Sequence, residues 1–280
     1  MISGYDKAAF DLLTFYREAG VDVALGEEPV DRFADVDLVL PAAGPARPEP
    51  IKPLPAGLPQ PNRPAPMPLP AAAAPPPPDE AIMAARAAAQ SATSLEALRA
   101  IMEKFEGCAL RTTAKQLVFG DGSPQARLML VGEAPGSEED RRGVPFVGRS
   151  GQLLDRMLSA IGIARQDAYI ANIVPWRPPG NRDPSIHESQ TCLPFIQRQI
   201  ELVDPDIIIC LGKPSTATLL GVTDGIRRTR GRWFKYDTGT REIRATATFH
   251  PAYLLRTPIE KRFAWRDFLA VKKALQSPTP

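Results

Sequence analysis

Residues 128–161 read LMLVGEAPGSEEDRRGVPFVGRSGQLLDRMLSAI, and the order of patterns within them decides the fold. Leu128 to Val131 is a short apolar run stopped by glycine, which predicts a strand buried on both faces. Beyond the glycines, Gln152 to Ile161 has helical spacing, so a helix should pack back onto that strand. The alternation recurs downstream. Strands are expected at Tyr169 to Val174, Ile207 to Leu211 and Ile243 to Thr248, with helices at Ser189 to Leu202 and Pro214 to Leu220 between them. Strand, helix and strand repeated in this way predict an α/β fold with a parallel sheet covered on both faces.

In such sheets, sites form beyond the carboxyl ends of the strands, and three polar residues fall there. Glu133 follows the first strand inside Gly132-Glu133-Ala134-Pro135-Gly136. A phosphate loop is the ordinary expectation for glycines after a strand, yet no Lys-Ser or Lys-Thr follows, and Glu138, Glu139 and Asp140 would repel a phosphate. A carboxylate at this point suits orienting a water or stabilising positive charge. Asn172 lies near the end of the second strand, ahead of a rigid loop from Val174 to Arg182; its amide offers the donor and acceptor that a nucleobase edge presents in return. Taken alone, a turn former or cap is the plainer reading. His250 follows the last strand in His250-Pro251-Ala252-Tyr253-Leu254-Leu255-Arg256, and its placement at the same sheet edge favours function over an ordinary structural histidine.

Upstream, sixteen of the 31 prolines lie between Pro41 and Pro78. A segment this poor in backbone donors and periodic apolar faces cannot build a core, so residues 39–79 are expected to form an extended linker. Ahead of it, residues 1–38 should hold one short amphipathic helix, from Tyr5 to Ala19, able to dock on the main domain or bind a partner. Residues 80–280 form the expected main domain. Asp79 to Phe105 should be helical, with a second helix beginning near Ser94.

A composition of 44% hydrophobic and 24% charged residues is that of a globular chain and excludes a fibrous one. The longest strongly apolar stretch, Ile207 to Leu211, is far shorter than the ~20 residues of a membrane span, and no basic region followed by an apolar run opens the sequence. A cytoplasmic protein without a membrane partner is expected. The three cysteines, Cys108, Cys192 and Cys210, argue against a disulfide framework. The N-terminal forty residues are acidic on balance. The bases gather later, at Arg227, Arg228, Arg230, Arg232 and Lys235 and at Arg256, Lys261, Arg262, Arg266, Lys272 and Lys273, and could attract a polyanion. A solvated basic face is the plainer alternative.

The segments GEAPGSEEDRRGVPFVGRSGQLLDRML, YIANIVPWRPPGNR through CLPFIQRQIELVDPDIIICLG, and HPAYLLR together resemble the uracil-DNA glycosylase superfamily, most closely its family-four type, over roughly Phe105 to Ala274. The resemblance implies a three-layer α/β/α sandwich with a central four-stranded parallel sheet. It also implies hydrolysis of the N-glycosidic bond of uracil in DNA to leave an abasic site, with other deaminated bases as further candidates. Carried over by motif, Glu133 would position or activate water, Phe146 would stack on a flipped base, Asn172 would bond the uracil edge, Gly132 and Ala134 would also belong to the substrate site, and His250 would stabilise the departing anion. Tyr253, Leu254 and Leu255 would form a wedge, with Arg256 and Arg177 on DNA. The partner would be uracil-containing DNA, with a protein partner for the N-terminal arm, and the chain would act as a monomer.

One departure concerns iron. Family-four enzymes hold a four-iron cluster on four cysteines, and the matching positions here are Phe105, Cys108, Trp176 and Cys192. Two thiolates cannot supply four ligands, so no cofactor is expected, and the aromatic rings could fill the volume. Cys210 should be a buried thiol. Three other readings differ in class: a silent module that recognises damaged DNA or a repair partner, a covalent uracil trap and a lyase. The trap would need a histidine in the loop after Pro179, where the chain has GNRDP and His187 beyond it. A lyase lysine has no candidate between Lys115 and Lys213.

Overall fold

The computed structural model describes residues 78–276. The expectations for residues 1–38, and nearly all of the linker expected over 39–79, lie outside them; the last two residues of that span, Pro78 and Asp79, already belong to a helix. Helix α1 spans Pro78–Ser91 and α2 Leu95–Lys104, and Ser94 caps the second by accepting the Ala97 N–H at 3.2 Å. A short α3, Leu110–Thr113, precedes β1, Asp121–Gly122. Then follow β2, Leu128–Gly132; α4, Ser137–Arg142; α5, Arg149–Ala160; and β3, Tyr169–Asn172. The second half runs α6, Ile186–Val203; β4, Ile207–Leu211; α7, Lys213–Leu220; α8, Ile226–Thr229; β5, Trp233–Asp237; β6, Glu242–Thr248; α9, Pro251–Arg256; and α10, Lys261–Gln276.

The sheet has six strands in the order β1-β3-β2-β4-β6-β5. The four central strands are parallel, as expected, but the sheet as a whole is mixed, because β1 pairs antiparallel with β3 and β5 with β6. The expectation of four parallel strands is corrected at both edges. Strand β1 has two residues, too few for any periodicity. Strand β5 is an edge whose residues are largely exposed, so it offers no continuous apolar run. Its hairpin to β6 closes at Gly239, where φ is +83°.

Strand alternation divides the core into two. Met129 and Val131 of β2 and Ile208 and Cys210 of β4 face a cluster with Phe195, Ile196 and Ile200 of α6 and Leu98 of α2. Leu128, Leu130, Ile207, Ile209 and Leu211 face the other side, against Leu154 and Leu158 of α5 and Phe268 and Val271 of α10. Helices therefore cover both faces of the sheet, and this is the three-layer sandwich. Two boundaries differ from expectation. Strand β3 ends at Asn172, although the Ile173 and Val174 N–H groups still bond Gly132 O and Glu133 O at 2.9 Å each. Helix α6 begins at Ile186, before the expected Ser189, because Ser185 and Glu188 cap each other's backbone N–H there.

Candidate functional site

The carboxyl ends of β2, β3 and β6 open into a cavity of about 520 Å³ whose lining includes Glu133, Ala134, Phe146, Asn172, Arg182, Asp183, His250, Tyr253 and Arg256. Residues more than a hundred positions apart thus meet where an α/β sheet places its ligands. Asn172, the last residue of β3, is buried, and its Oδ1 has no hydrogen-bond partner. A buried acceptor without a donor is costly. Placed at the cavity wall, it suits a ligand N–H.

Phe146 lies beside it, buried, with its ring 5.5 Å from the His250 ring. A Cβ on Gly132 would come within 2.4 Å of Asn172 Oδ1 and 2.6 Å of the Phe146 ring. Glycine at the end of β2 is therefore what lets the amide and the aromatic face meet over the strand. Phe146 itself holds a φ of +51°, uncommon outside glycine.

His250 occupies the N-cap of α9, where its Nδ1 accepts the Ala252 N–H at 3.1 Å. Burial, with Arg256 nearby, pulls the imidazole down to about 4 against a weaker opposing pull from Glu139. The ring is thus neutral near pH 7, and because Nδ1 is accepting, the proton resides on Nε2. Glu133 moves the other way. Burial, reinforced by the negative charge of Asp183, pushes it up to about 7, where a carboxyl group exchanges protons near neutral pH.

Two residues expected to contact DNA have internal partners. Leu254, assigned with its neighbours to an exposed tip, is buried against Phe249 and Ala264, because it falls on the inner face of the single-turn helix α9; Leu255 next to it is exposed. Arg177 is turned inward, donating to Asn181 Oδ1 at 2.7 Å and lying 3.8 Å from the buried Asp140 carboxylate. It braces the loop after β3. The first basic group also changes meaning, since Arg227 pairs with Glu260 at 2.6 Å, Lys235 with Glu242 at 2.7 Å and Arg230 with buried Asp267. Arg230 is a structural ion.

Glu139 carries a role that sequence reading missed. Its buried carboxylate accepts three backbone N–H groups, from Gly136 at 3.1 Å, Val147 at 3.0 Å and Gly148 at 2.9 Å. It ties the Glu133 loop to the Phe146 loop. The spacing Gly136-x-x-Glu139 at the start of α4 was the available signal, as a helix-capping pattern.

On the other face of the sheet, Cys108, Trp176 and Cys192 are buried in one apolar cluster with Phe105 packed against it. The two sulfurs lie 3.8 Å apart. Burial pushes the Cys192 thiol well up, while its contact lowers that of Cys108. The Phe105 ring meets Phe195 edge to face at 4.9 Å. Two thiols, a phenyl ring and an indole do not form the donor set of a four-thiolate cluster, and among the described residues no group of three or more His, Cys, Asp or Glu side chains could hold a metal. Cys210 is buried in β4 with its thiol pushed up to about 12 by desolvation. No helix among the described residues is long and apolar enough to cross a membrane.

Residues 119–269, more than half of the chain, match the Uracil DNA glycosylase superfamily. The chain belongs to this superfamily. Within it, the chain is similar to the type-4 uracil-DNA glycosylase of Saccharolobus solfataricus, with 40% identity over 181 residues, 63% of this chain and 84% of that protein. It is also similar to the type-4 uracil-DNA glycosylases of Thermotoga maritima, at 41% identity over 55% of this chain and 80% of that protein, and of Archaeoglobus fulgidus, at 38% over 54% and 78%. The superfamily match runs from just before β1 into α10 and so includes every residue of the cavity.

Proposed function

We propose that this glycosylase-superfamily chain removes uracil from DNA in base excision repair by hydrolysing its N-glycosidic bond, with other deaminated bases as further substrates. The observation that carries the reading is the meeting of an unpartnered Asn172 Oδ1, the Phe146 ring, a neutral His250 and a Glu133 poised near 7 in one cavity. A base within a duplex is out of reach, so it must be extruded at a cost of a few kcal/mol. Phe146 offers it a stacking face, and Asn172 accepts the ring N–H.

As the C1′–N1 bond breaks, its electron pair leaves with the base, which becomes anionic, and the sugar becomes cationic. His250 Nε2–H donates to the developing anion. A neutral donor suits this task, since it stabilises charge without having to lose a proton. Ionised Glu133 stabilises the cationic sugar and accepts the proton of the water that attacks C1′. Opposite ends of one transition state are thus met by opposite electrostatic partners. No step passes through iron: Phe105 and Trp176 fill the cluster-equivalent positions, and the protein is expected to work without a cofactor.

Around the cavity, Arg256 and exposed Leu255 are the residues offered to the backbone and to the vacated stack. The chain is expected to act as a monomer in the cytoplasm. Incubation with uracil-containing oligonucleotides, single- and double-stranded, followed by alkaline cleavage tests the reading. Strand scission only where uracil stood is the expected result. Binding without scission would instead favour a silent damage-recognition module.

A further inference from the structure

The turn that carries Phe146 is held by a residue that does not line the cavity. Arg165 stands in a 3₁₀ turn, Arg165–Asp167, just ahead of β3. Its Nη2 donates to Pro145 O at 2.6 Å and its Nη1 to Phe146 O at 3.0 Å. The remaining donors are anchored, Nε on Asp121 at 2.7 Å and Nη1 also on Asp155 at 2.7 Å. The planar fork is therefore fixed by two carboxylates and spends its other hydrogen bonds on two successive backbone carbonyls.

Those carbonyls need a reason to turn to one side. In extended chain successive carbonyls alternate, and it is the left-handed conformation of Phe146, φ +51°, that brings them together. Such a conformation costs about 1–3 kcal/mol for a residue other than glycine and persists only where the surroundings over-determine it. The surroundings here are specific. Beyond Phe146, the Val147 and Gly148 amides are both taken by Glu139. Beneath it, a Cβ on Gly151 would lie 1.8 Å from Phe146 O, so only glycine lets α5 start under the turn.

We propose that Arg165 is a positioning residue for base excision, which holds the Pro145 and Phe146 carbonyls so that the Phe146 ring stands as a fixed stacking wall beside Asn172 and His250. The proposal rests on reading the cavity as a uracil site. The bland alternative is a brace between β1 and α5 that any well-packed side chain could replace.

Single-turnover excision by the full chain separates the two. Arg165→Met should lower the rate at saturating enzyme by about 10- to 100-fold, the scale of a small misplacement, with DNA affinity changed by less than about twofold. Arg165→Lys, which keeps the charge but loses the fork, should recover only part of the rate. In a Phe146→Ala background, where no ring remains to be placed, Arg165→Met should add little. Losses that multiply in the double variant, or an Arg165→Met rate equal to that of the unmodified chain, would overturn the proposal. A second readout does not depend on catalysis. The ¹⁹F resonance of fluorophenylalanine at position 146 should be single in the unmodified chain and shifted or broadened in Arg165→Met; an unchanged resonance would also overturn it. Absence of uracil release from the unmodified chain, with the resonance moving as expected, would sink the uracil reading and leave the positioning role standing. Should Arg165→Met fail to fold, Asp155→Asn removes one anchor and must move both readouts in the same direction, or the proposal fails.

Discussion

At His250 one ring nitrogen is committed and the other is free. The Ala252 N–H on Nδ1 fixes which tautomer faces the cavity, so His250→Ala removes a preset donor. The excision rate should fall by ~10²-fold or more while DNA affinity stays nearly constant, the signature of an interaction made only in the transition state. An equal loss of affinity and rate would assign the ring to binding. Glu133 makes a separate prediction about stability. Its folded value, about 7, lies above that of an unfolded carboxylate, so the folded state carries a penalty that begins above the unfolded value and is complete once pH exceeds about 7. Glu133→Gln should therefore raise the melting temperature at pH above about 7 more than at pH near 5, even as it abolishes excision. Glu133, Asn172 and His250 were legible in sequence because each stands beside a strand end, and the parallel-sheet rule says where strand ends converge. Glu139 offered only its capping spacing from Gly136, which says nothing of the Val147 and Gly148 amides it also holds, and Arg165 offered nothing, since the carbonyls it holds lie about twenty residues back and backbone atoms leave no motif.

At the scale of elements, β2, β3 and β4 were readable because short, largely apolar runs alternate with helical patterns, whereas β6 was readable from its β-branched alternation despite Glu242 and Arg244. Edge strand β5 was hidden by its own exposure. Helix α9 shows a different limit. Tyr253, Leu254 and Leu255 look alike as an apolar tip, but a single turn of helix sends Leu254 inward and leaves Leu255 outside. Leu254→Ala should cost about 2–5 kcal/mol of stability, as for other buried leucines. Leu255→Ala should leave stability nearly unchanged and slow excision from duplex more than from single strands, because only duplex leaves a stack to be filled. Equal effects of Leu255→Ala on both strand forms would remove the wedge. In the cluster-equivalent region, Trp176→Ala should cost about 3–5 kcal/mol by opening a cavity, read by denaturant midpoint. Chelators should not shift that midpoint, since two thiols and two aromatic side chains do not supply four thiolate ligands.

At the scale of the molecule, one sheet edge gathers the candidate catalytic residues, with Arg256 beside them. Arg256, at the wall of the cavity, should make DNA affinity fall as salt rises. Removal of residues 1–77 should leave excision from short oligonucleotides within about twofold, because every cavity residue follows Val131 in sequence. The central claim is that a carboxylate and a neutral imidazole in this cavity act together on the glycosidic bond of uracil. The most direct test is the single-turnover rate of uracil release as a function of pH, from about 5 to about 9, for the unmodified chain. Ionised Glu133 is the working form, so the rate should rise as pH passes through about 7 and then level, with no second inflection from His250, which remains neutral throughout that range. Uracil release independent of pH across the range, or no release at all, would contradict the account.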